Sequence, residues 1–279
     1  MNKVTLHNML LDFLCEDIQH CDITSESIFP DDEMGTASFY MKEDGILSGT
    51  AIITEAYQIL NKDIEVVLLK NDGDKVEQGE EIATVSGSIQ SILSGERVIL
   101  NLLQRMSGIA TQTAKAIVAL NNDNIKITDT RKTTPGLRML EKYAVTCGGG
   151  YNHRFGLYDM VMIKDNHISF AGSITKAVKK VRTKLGPTVK IEVETESITE
   201  VEEAVKQNVD IIMFDNCTVE EINEMAQYVP NHILTEASGG ITFHTLGNYR
   251  DANVDFISLG FLTHSVKALD ISLTIKGGI

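Results

Sequence analysis

Residues 125–138, with the sequence IKITDTRKTTPGLR, contain the side chains whose types and spacing most clearly predict chemistry. The β-branched residues at 125–128 predict a short strand, and the Pro-Gly pair that follows predicts a turn. Between the two stand Arg131 and Lys132, cations that pack poorly in a core but bind anions well. The stretch therefore predicts an anion-binding loop at the end of a strand.

Residues 130–164 hold six lysines and arginines against two acidic residues, in a chain whose formal net charge is −14. The overall charge argues against a nucleic-acid partner and against an anionic membrane surface. A basic segment in an acidic chain instead predicts a pocket for a small polyanion. Chance clustering on a solvated face is the alternative.

Six short apolar stretches in the second part of the chain each end in polar or glycine-rich residues. They are residues 125–128, 160–163, 189–193, 211–214, 233–235 and 256–259. Amphipathic segments between them predict helices, and strands that alternate with helices predict a parallel sheet with right-handed crossovers. Polar residues at every strand end favour an α/β barrel, because a doubly wound sheet gathers its site at one switch point. Full barrels typically need ~250 residues, so the shorter segment predicts an incomplete barrel of six or seven strands.

Two kinds of group stand at these strand ends. The cationic group comprises Arg131, Lys132, His153, Arg154 and Lys164. The second group is acidic or glycine-rich and comprises Glu194, Asp215, Ser238, Gly239, Gly240 and Gly260. Cations bind carboxylates and phosphates, glycine-rich turns bind phosphate through backbone N–H groups, and carboxylates hold sugar hydroxyls or magnesium through water. The combination predicts a pocket for a phosphorylated sugar and a partner with several carboxylates.

Each of these residues also has a structural interpretation. His153 beside a run of three glycines fits a surface histidine, Lys164 fits an ion-paired lysine of the barrel, and Asp215 fits a helix N-cap. The repetition at six consecutive strand ends favours the functional interpretation.

The first hundred residues predict a different arrangement: helices from Thr5, over 51–60 and from Ser94 onward, strands over 35–42 and 65–70, and a loop over 22–32. Residues 71–87 resemble the hairpins of biotinyl and lipoyl carrier domains. Those carriers need a lysine on a neighbouring hairpin, and residues 86–93 contain none, which favours a structural hairpin. Arg97 lies off the apolar stripe of its helix, so by itself it is interpreted as a solvated surface arginine.

The four cysteines have no C-x-x-C spacing and predict reduced thiols in a cytoplasmic protein. The amino-terminal residues lack the apolar core of a signal peptide, and no apolar run reaches the ~18 residues of a membrane span.

The chain resembles the quinolinate phosphoribosyltransferase family in motifs that follow the family's order. They are ERVILN (96–101), DTRKTTPGLR (129–138), GGGYNHR (148–154), IKDNH (163–167), EVE (192–194), FDN (214–216), EASGGI (236–241) and LTHSV (262–266). The resemblance implies an α/β plus α+β fold, with an N-terminal α+β sandwich domain (1–110) and an incomplete parallel α/β barrel with a C-terminal tail (111–279). It also implies a homodimer or larger homo-oligomer.

The resemblance further implies a magnesium-dependent reaction: quinolinate and phosphoribosyl pyrophosphate give nicotinate mononucleotide, pyrophosphate and CO2. It assigns Arg131, His153, Arg154 and Lys164 to the quinolinate carboxylates. It assigns the phosphoribosyl side to Lys132, Glu194, Asp215, Ser238, Gly239, Gly260 and His264, and Thr130 and Gly240 complete the expected substrate-binding set. Lys132, Lys164, Glu194 and Asp215 are the expected catalytic residues, and Glu194 and Asp215 are expected to hold magnesium indirectly. Arg97 is expected to enter the neighbouring subunit's site, which replaces its interpretation as a surface residue.

Three alternatives remain open at this point. One is a relative that acts on another ring acid, such as nicotinate phosphoribosyltransferase or the related protein found with molybdenum transport. Another is a barrel aldolase that forms a Schiff base on Lys164 or Lys132. The third is a barrel that binds without turnover.

Overall fold

The computed structural model describes residues 1–276, and the chain forms two compact units. Unit 1 contains residues 1–114, 139–149 and 265–276, and unit 2 contains residues 115–138 and 150–264. The end of the predicted C-terminal tail, residues 277–279, lies outside the described residues. The division into domains at residue 110 stays a prediction.

Unit 1 is built on an antiparallel sheet with helices. Its strands are β1 (Met34–Met41), β2 (Gly45–Ile46), β3 (Glu65–Leu68), β4 (Lys75–Val76), β5 (Glu81–Ser88) and, near the chain end, β12 (Ile271–Lys276); its helices are α1 (Lys3–Ile18), α2 (Ile23–Ile28) and α3 (Thr50–Leu60). The larger sheet has the order β12-β1-β5-β3, and β2 pairs with β4. Phe39 and Tyr57 are fully buried in its core, with their ring centroids 6.4 Å apart. This confirms the α+β character expected of the first part.

Two local predictions in unit 1 were wrong. The expected loop over 22–32 contains α2, because the Asp22 carboxylate accepts the backbone N–H groups of Thr24 and Ser25 and caps that helix. The long helix α4 (Ile89–Leu120) begins before Ser94, directly after β5. Ser94 therefore lies within the helix and does not begin it, and its hydroxyl donates to Asp22 at 3.1 Å.

Unit 2 is a parallel α/β structure. Its strands are β6 (Lys126–Thr128), β7 (Val161–Ile163), β8 (Ile191–Thr195), β9 (Ile211–Asp215), β10 (Leu234–Ser238) and β11 (Phe256–Ser258). Helix α5 (Arg138–Cys147) follows β6 in the sequence but belongs to unit 1 apart from its first residue, and the later helices of unit 2 are α6 (Asp165–Ala171), α7 (Ile174–Lys184), α8 (Ile198–Lys206), α9 (Val219–Met225) and α10 (Phe261–His264). Thr218 and Glu221 form a capping box at the start of α9, and Ser173 and Ser197 cap α7 and α8.

The strand order identifies an incomplete barrel. The sheet reads β6-β11-β10-β9-β8-β7, so consecutive strands from β7 to β11 are neighbours and β6 returns beside β11. A closed barrel would also pair β6 with β7, and among the described residues these two strands remain the edges of the sheet. Tyr151 forms a single parallel bridge with Thr128 on the open side of β6. The predicted fold class is confirmed, with six strands.

The strands extend further than the sequence predicted. Glu194 lies inside β8, Asp215 ends β9, and Ser238 ends β10. The register sets Asp215 opposite Ser238, and Ser258 opposite Thr128. Because parallel strands end at the same edge of the sheet, this register brings their polar side chains together.

Lys142 does not belong to the predicted basic pocket. It lies on α5 in unit 1, where its side chain is fully buried. No helix among residues 1–276 is long and apolar enough to cross a membrane.

Candidate active site

A cavity of about 570 Å³ lies at the carboxyl ends of the strands of unit 2. Eleven of the residues that the sequence predicted line it: Thr130, Arg131, Lys132, His153, Arg154, Lys164, Glu194, Asp215, Ser238, Gly239 and Gly240. A second cavity of about 960 Å³ shares Asn216, Gly239 and Gly240 with the first, but none of the five strand-end cations lines it. The smaller cavity is therefore the candidate active site, because both kinds of predicted group meet there.

Three predicted site residues, Arg97, Gly260 and His264, do not line this cavity. Gly260 and His264 are beside Lys132, since a Cβ atom on Gly260 would lie 3.1 Å from both Lys132 Cδ and His264 Cδ2. A side chain at position 260 would therefore be tightly placed against these two residues. Arg97 lies on α4 in unit 1, where its side chain is exposed.

The loop that follows β6 is fixed by buried hydrogen bonds. Fully buried Asp129 accepts the backbone N–H of His153 at 2.9 Å and the side-chain amide of Asn152 at 2.6 Å. Arg138 donates through Nε to Thr133 Oγ1 at 3.0 Å and through Nη1 to the Phe155 carbonyl at 3.2 Å. These bonds tie the loop that carries Arg131 to the segment that carries His153 and Arg154.

The cationic wall of the cavity holds two neighbouring guanidinium groups. Arg131 Nε is buried and has no hydrogen-bond partner among the described residues. Arg154 donates through Nη1 to the Met160 carbonyl at 3.1 Å. Burial lowers the pKa of Arg154, and the charge of nearby Arg131 lowers this pKa further. Two guanidinium groups this close favour a bound anion, because each disfavours the charge of the other.

Two hydrogen bonds fix the backbone of Lys132. Its N–H donates to Thr130 Oγ1 at 3.0 Å, and its carbonyl accepts Thr263 Oγ1 at 2.8 Å. The side chain of Lys132 is left exposed at the cavity beside Gly260. A flexible lysine on a fixed backbone can act as a point charge for a phosphate.

The acidic side of the cavity begins with an ion pair between Lys164 Nζ and Glu194 Oε1. Ile163 pairs with Val193 in the register of β7 and β8, so the next residues, Lys164 and Glu194, are neighbours. Burial raises the pKa of Glu194, and Lys164 opposes that rise. Lys164 is therefore ion-paired, as its structural interpretation predicted, but both members of the pair line the cavity.

A glycine turn after β10 approaches the end of β9 closely. Gly239 and Gly240 have φ angles of +88° and +63°, and a Cβ atom on Gly239 would lie 2.3 Å from Asn216 Oδ1. Asn216 in turn donates its side-chain amide to Asp215 at 2.7 Å. The turn carries backbone N–H groups past the acidic residues, as phosphate-binding turns do.

Sequence reasoning did not select three buried acidic residues of this region as site residues: Asp129, Glu192 and Glu236. Glu236 lines the cavity, and both Glu192 and Glu236 lie close to the His153 ring. For Glu192 and Glu236 the local sequence offered only a charged residue within a strand, which does not by itself identify a site. Such a residue is almost never fully buried unless it has a partner.

The fold and the cavity define a class of protein: an enzyme of the α/β-barrel type that acts on small anionic molecules at the carboxyl ends of its strands. The chain belongs to the quinolinate phosphoribosyltransferase family. The model of the family's N-terminal domain matches residues 22–107, and the model of its C-terminal domain matches residues 109–274.

Individual relatives agree with this assignment. The chain is 52% identical over 275 residues to the probable nicotinate-nucleotide pyrophosphorylase (carboxylating) of Bacillus subtilis, covering 99% of this chain and 95% of the relative. It is 43% identical to the mitochondrial quinolinate phosphoribosyltransferase (decarboxylating) 2a of Nicotiana tabacum, over 91% of this chain and 77% of the relative. The crystal structure of NadC from Streptococcus pyogenes superimposes with a TM-score of 0.95 at 39% identity, covering 99% of this chain and 98% of that one.

Proposed function

We propose that this protein transfers the phosphoribosyl group of phosphoribosyl pyrophosphate to the ring nitrogen of quinolinate and removes one carboxylate as CO2. The products are nicotinate mononucleotide, pyrophosphate and CO2, a step of NAD biosynthesis. Membership of the family supports the reaction. The observation in this chain that supports the reaction most directly is the pair of guanidinium groups of Arg131 and Arg154. The buried Nε donor of Arg131 has no partner among the described residues, and the same cavity is also lined by carboxylates.

Quinolinate bears two adjacent carboxylates next to the ring nitrogen. We assign them to the cations Arg131, Arg154 and Lys164, with His153 beside them in the same cavity. A buried dicarboxylate without cations would leave uncompensated charge, which is costly in a protein interior. Arginine supplies paired donors that match carboxylate geometry, so the two arginines also orient the ring.

The phosphoribosyl donor is assigned to the other side of the same cavity. Thr130, Lys132, Ser238, Gly239 and Gly240 line it there, with Gly260 and His264 next to Lys132. Glycine backbone N–H groups and lysine bind phosphate oxygens. Ser258 donates to Ser238 at 2.9 Å, which fixes the hydroxyl beside the glycine turn.

Loss of pyrophosphate leaves positive charge on the anomeric carbon of the ribose. Among the carboxylates that line the cavity, we assign Glu194 and Asp215 to this carbon, which their negative charge stabilises. The quinolinate nitrogen attacks the same carbon from its position against the cationic wall. The contribution of the protein is mainly orientation and fixed charge.

Carboxylate oxygens at Glu194 and Asp215 are the donor type that magnesium prefers, so these residues fit the expected ion, held through water. Bound magnesium supplies charge neutralisation for the leaving pyrophosphate. Lys132 contributes to the same neutralisation from the protein.

The homodimer, with Arg97 entering the neighbouring subunit's site, stays a prediction, as does the cytoplasmic location. Exposure of Arg97 on α4 is compatible with a role toward another chain. A cationic residue from a second subunit would add charge to the quinolinate side.

The deciding experiment incubates the purified chain with quinolinate, phosphoribosyl pyrophosphate and magnesium. We expect stoichiometric nicotinate mononucleotide, pyrophosphate and CO2. Formation of the mononucleotide from nicotinate but not from quinolinate would move the assignment to a relative that acts on another ring acid.

The aldolase alternative meets a structural objection at Lys164. An ion pair with Glu194 holds a charged ammonium group, whereas Schiff-base formation needs a neutral amine. Borohydride trapping of a substrate-linked lysine would support the aldolase and contradict the transferase.

A further inference from the structure

Three ionisable side chains form a buried cluster beside the cavity. His153 Nε2 lies 3.1 Å from Glu192 Oε2 and 3.3 Å from Glu236 Oε2. The exposed fractions of the three side chains are 9%, 0% and 3%. The assigned roles in phosphoribosyl transfer use His153 but neither glutamate.

The histidine tautomer decides what the cluster can do. The backbone N–H of Arg154 donates to His153 Nδ1 at 2.7 Å, so Nδ1 carries no proton. In the neutral ring the proton is therefore on Nε2, the atom that lies within 3.3 Å of a carboxyl oxygen of each glutamate. A metal ion held by the three side chains would need the lone pair of Nε2, so the geometry favours a proton over a metal there.

Full ionisation of both glutamates would set two negative charges against a single imidazole nitrogen in a buried site, which is costly, so the cluster favours one added proton. Burial lowers the pKa of His153, but Glu192 and Glu236 outweigh it and raise this pKa to about 10, in keeping with a proton shared by the three groups. An imidazolium between two carboxylates and a neutral imidazole beside one carboxylic acid contain the same number of protons. The bond from Arg154 to Nδ1 favours the second arrangement, in which a carboxyl group carries the proton.

Glu236 is the member of the cluster that can pass this proton to a ligand. It lines the cavity together with Arg131, Lys164 and Glu194, whereas Glu192 does not. Its Oε1 atom is buried without a hydrogen-bond partner among the described residues. Glu236 pairs with Met213 of β9 on one side, and Met213 also lines the cavity, so the carboxyl group lies in the row of residues that faces the substrate.

The reaction requires such a donor. When the bond between C2 of the ring and its carboxylate breaks, CO2 leaves and the electron pair stays on C2, beside the positively charged nitrogen. Until a proton forms the C2–H bond of the nicotinate ring, this electron pair recaptures CO2, so net decarboxylation depends on a proton donor. We propose that Glu236 delivers this proton as a general acid and becomes a carboxylate, which solvent reprotonates before the next turnover. The proposal rests on the proposed function.

The test separates the two chemical steps in one sample. Pyrophosphate release reports phosphoribosyl transfer, and labelled CO2 from the 2-carboxylate reports decarboxylation. We expect Glu236→Gln to release pyrophosphate at a rate close to that of the unmodified protein but CO2 about 100-fold more slowly. Mass spectrometry should detect a nucleotide that retains both carboxylates. Glu236→Asp should restore part of the CO2 release.

The ratio of CO2 to pyrophosphate does not depend on how much of a variant folds. Glu203→Gln is the control, because it neutralises a carboxylate that accepts the Thr175 N–H at 2.7 Å, outside the cluster and outside the cavity lining; its ratio should stay near one. Equal loss of both products in Glu236→Gln, or the same ratio change in Glu203→Gln, would overturn Glu236 as the donor. Absence of pyrophosphate release from the unmodified protein would instead refute the proposed function.

Discussion

Arg131 combines three features that rarely occur together in a structural arginine. It stands at the end of a strand, its neighbour Arg154 is also a cation, and its Nε atom is buried without a partner among the described residues. A buried donor without a partner costs about 1–3 kcal/mol, so such a group usually serves a ligand. The Nε donor of Arg131 therefore gains a hydrogen bond when a carboxylate binds.

Replacement of Arg131 should weaken quinolinate binding selectively. We expect Arg131→Ala to raise KM for quinolinate by about 30-fold or more, since loss of one member of a buried charge pair costs about 2–5 kcal/mol. Arg131→Lys should recover little, because lysine lacks the paired donors of the guanidinium group. Steady-state kinetics with each substrate measures the effect. Arg182→Ala is the control: Arg182 lies on α7 and contacts the Asn208 carbonyl. An equal loss in both alanine variants would contradict the assignment.

The ionisation of Glu194 predicts how the activity depends on pH. Burial raises its pKa, Lys164 lowers it, and the charge of Asp215 raises it. Because the negative form stabilises the ribose carbon, activity should fall as the pH drops through this raised pKa. Lys164→Met removes a lowering influence and should move the acid limb of kcat/KM to higher pH. Asp215→Asn removes a raising influence and should move it to lower pH. Shifts in the same direction would exclude Glu194 as the group that titrates.

At the scale of elements, the order of strands and helices was predictable, but the residue at which each strand ends was predictable only for some strands. A β-branched run followed by charged residues marks the end of β6 or β7 wherever the strand lies in the fold. The predictions for β8, β9 and β10 ended before Glu194, Asp215 and Ser238, which the structure keeps in the ladder. Polar residues normally indicate the end of a strand. The last residues of a barrel strand face a solvent-filled cavity, however, so polar side chains are tolerated within the strand there.

The cluster around His153 was beyond local sequence reasoning for a different reason. Glu192 and Glu236 lie on separate strands, and neither is near His153 in the sequence. Hydropathy predicts exposure for an isolated glutamate. Their burial depends on a partner that only the tertiary fold supplies.

The turn after β10 should tolerate no side chain at Gly239. Alanine there would adopt a left-handed φ and would place Cβ 2.3 Å from Asn216 Oδ1. We expect Gly239→Ala to lower the free energy of unfolding by about 1 kcal/mol or more and to raise KM for phosphoribosyl pyrophosphate. Gly240→Ala shares the backbone strain, but its Cβ atom would lie 4.0 Å from Asn216 Oδ1, an ordinary contact, so its effect should be smaller. Thermal unfolding and kinetics measure both.

A neutral reference for these glycine variants is Gly186→Ala. A Cβ atom at Gly186 meets nothing within 4 Å, and its φ lies outside the left-handed range. If Gly239→Ala behaves like Gly186→Ala in both measurements, close approach at the turn is not important for phosphate binding.

At the scale of the whole molecule, unit 1 is assembled from distant parts of the sequence. Strand β12 from the end of the chain pairs with β1, with Phe39 opposite Leu273. In the same unit, Arg105 of α4 donates to Glu141 of α5 at 2.6 Å. The expected roles divide between the units, because Lys164 and Arg131 line the cavity of unit 2 while Arg97 lies exposed in unit 1.

If Arg97 serves a second subunit, complementary inactive variants should rescue each other. We expect Arg97→Ala and Lys164→Ala each to be nearly inactive, and their mixture to recover about a quarter of normal activity, because half of randomly mixed dimers are hybrids and each hybrid has one intact site. Differently tagged subunits and sequential affinity purification establish that hybrids form. The control pairs Lys164→Ala with Arg131→Ala: both residues line the same cavity, so no hybrid site is intact and no rescue is expected. Demonstrated hybrids of Arg97→Ala and Lys164→Ala without rescue would place Arg97 outside the neighbouring site.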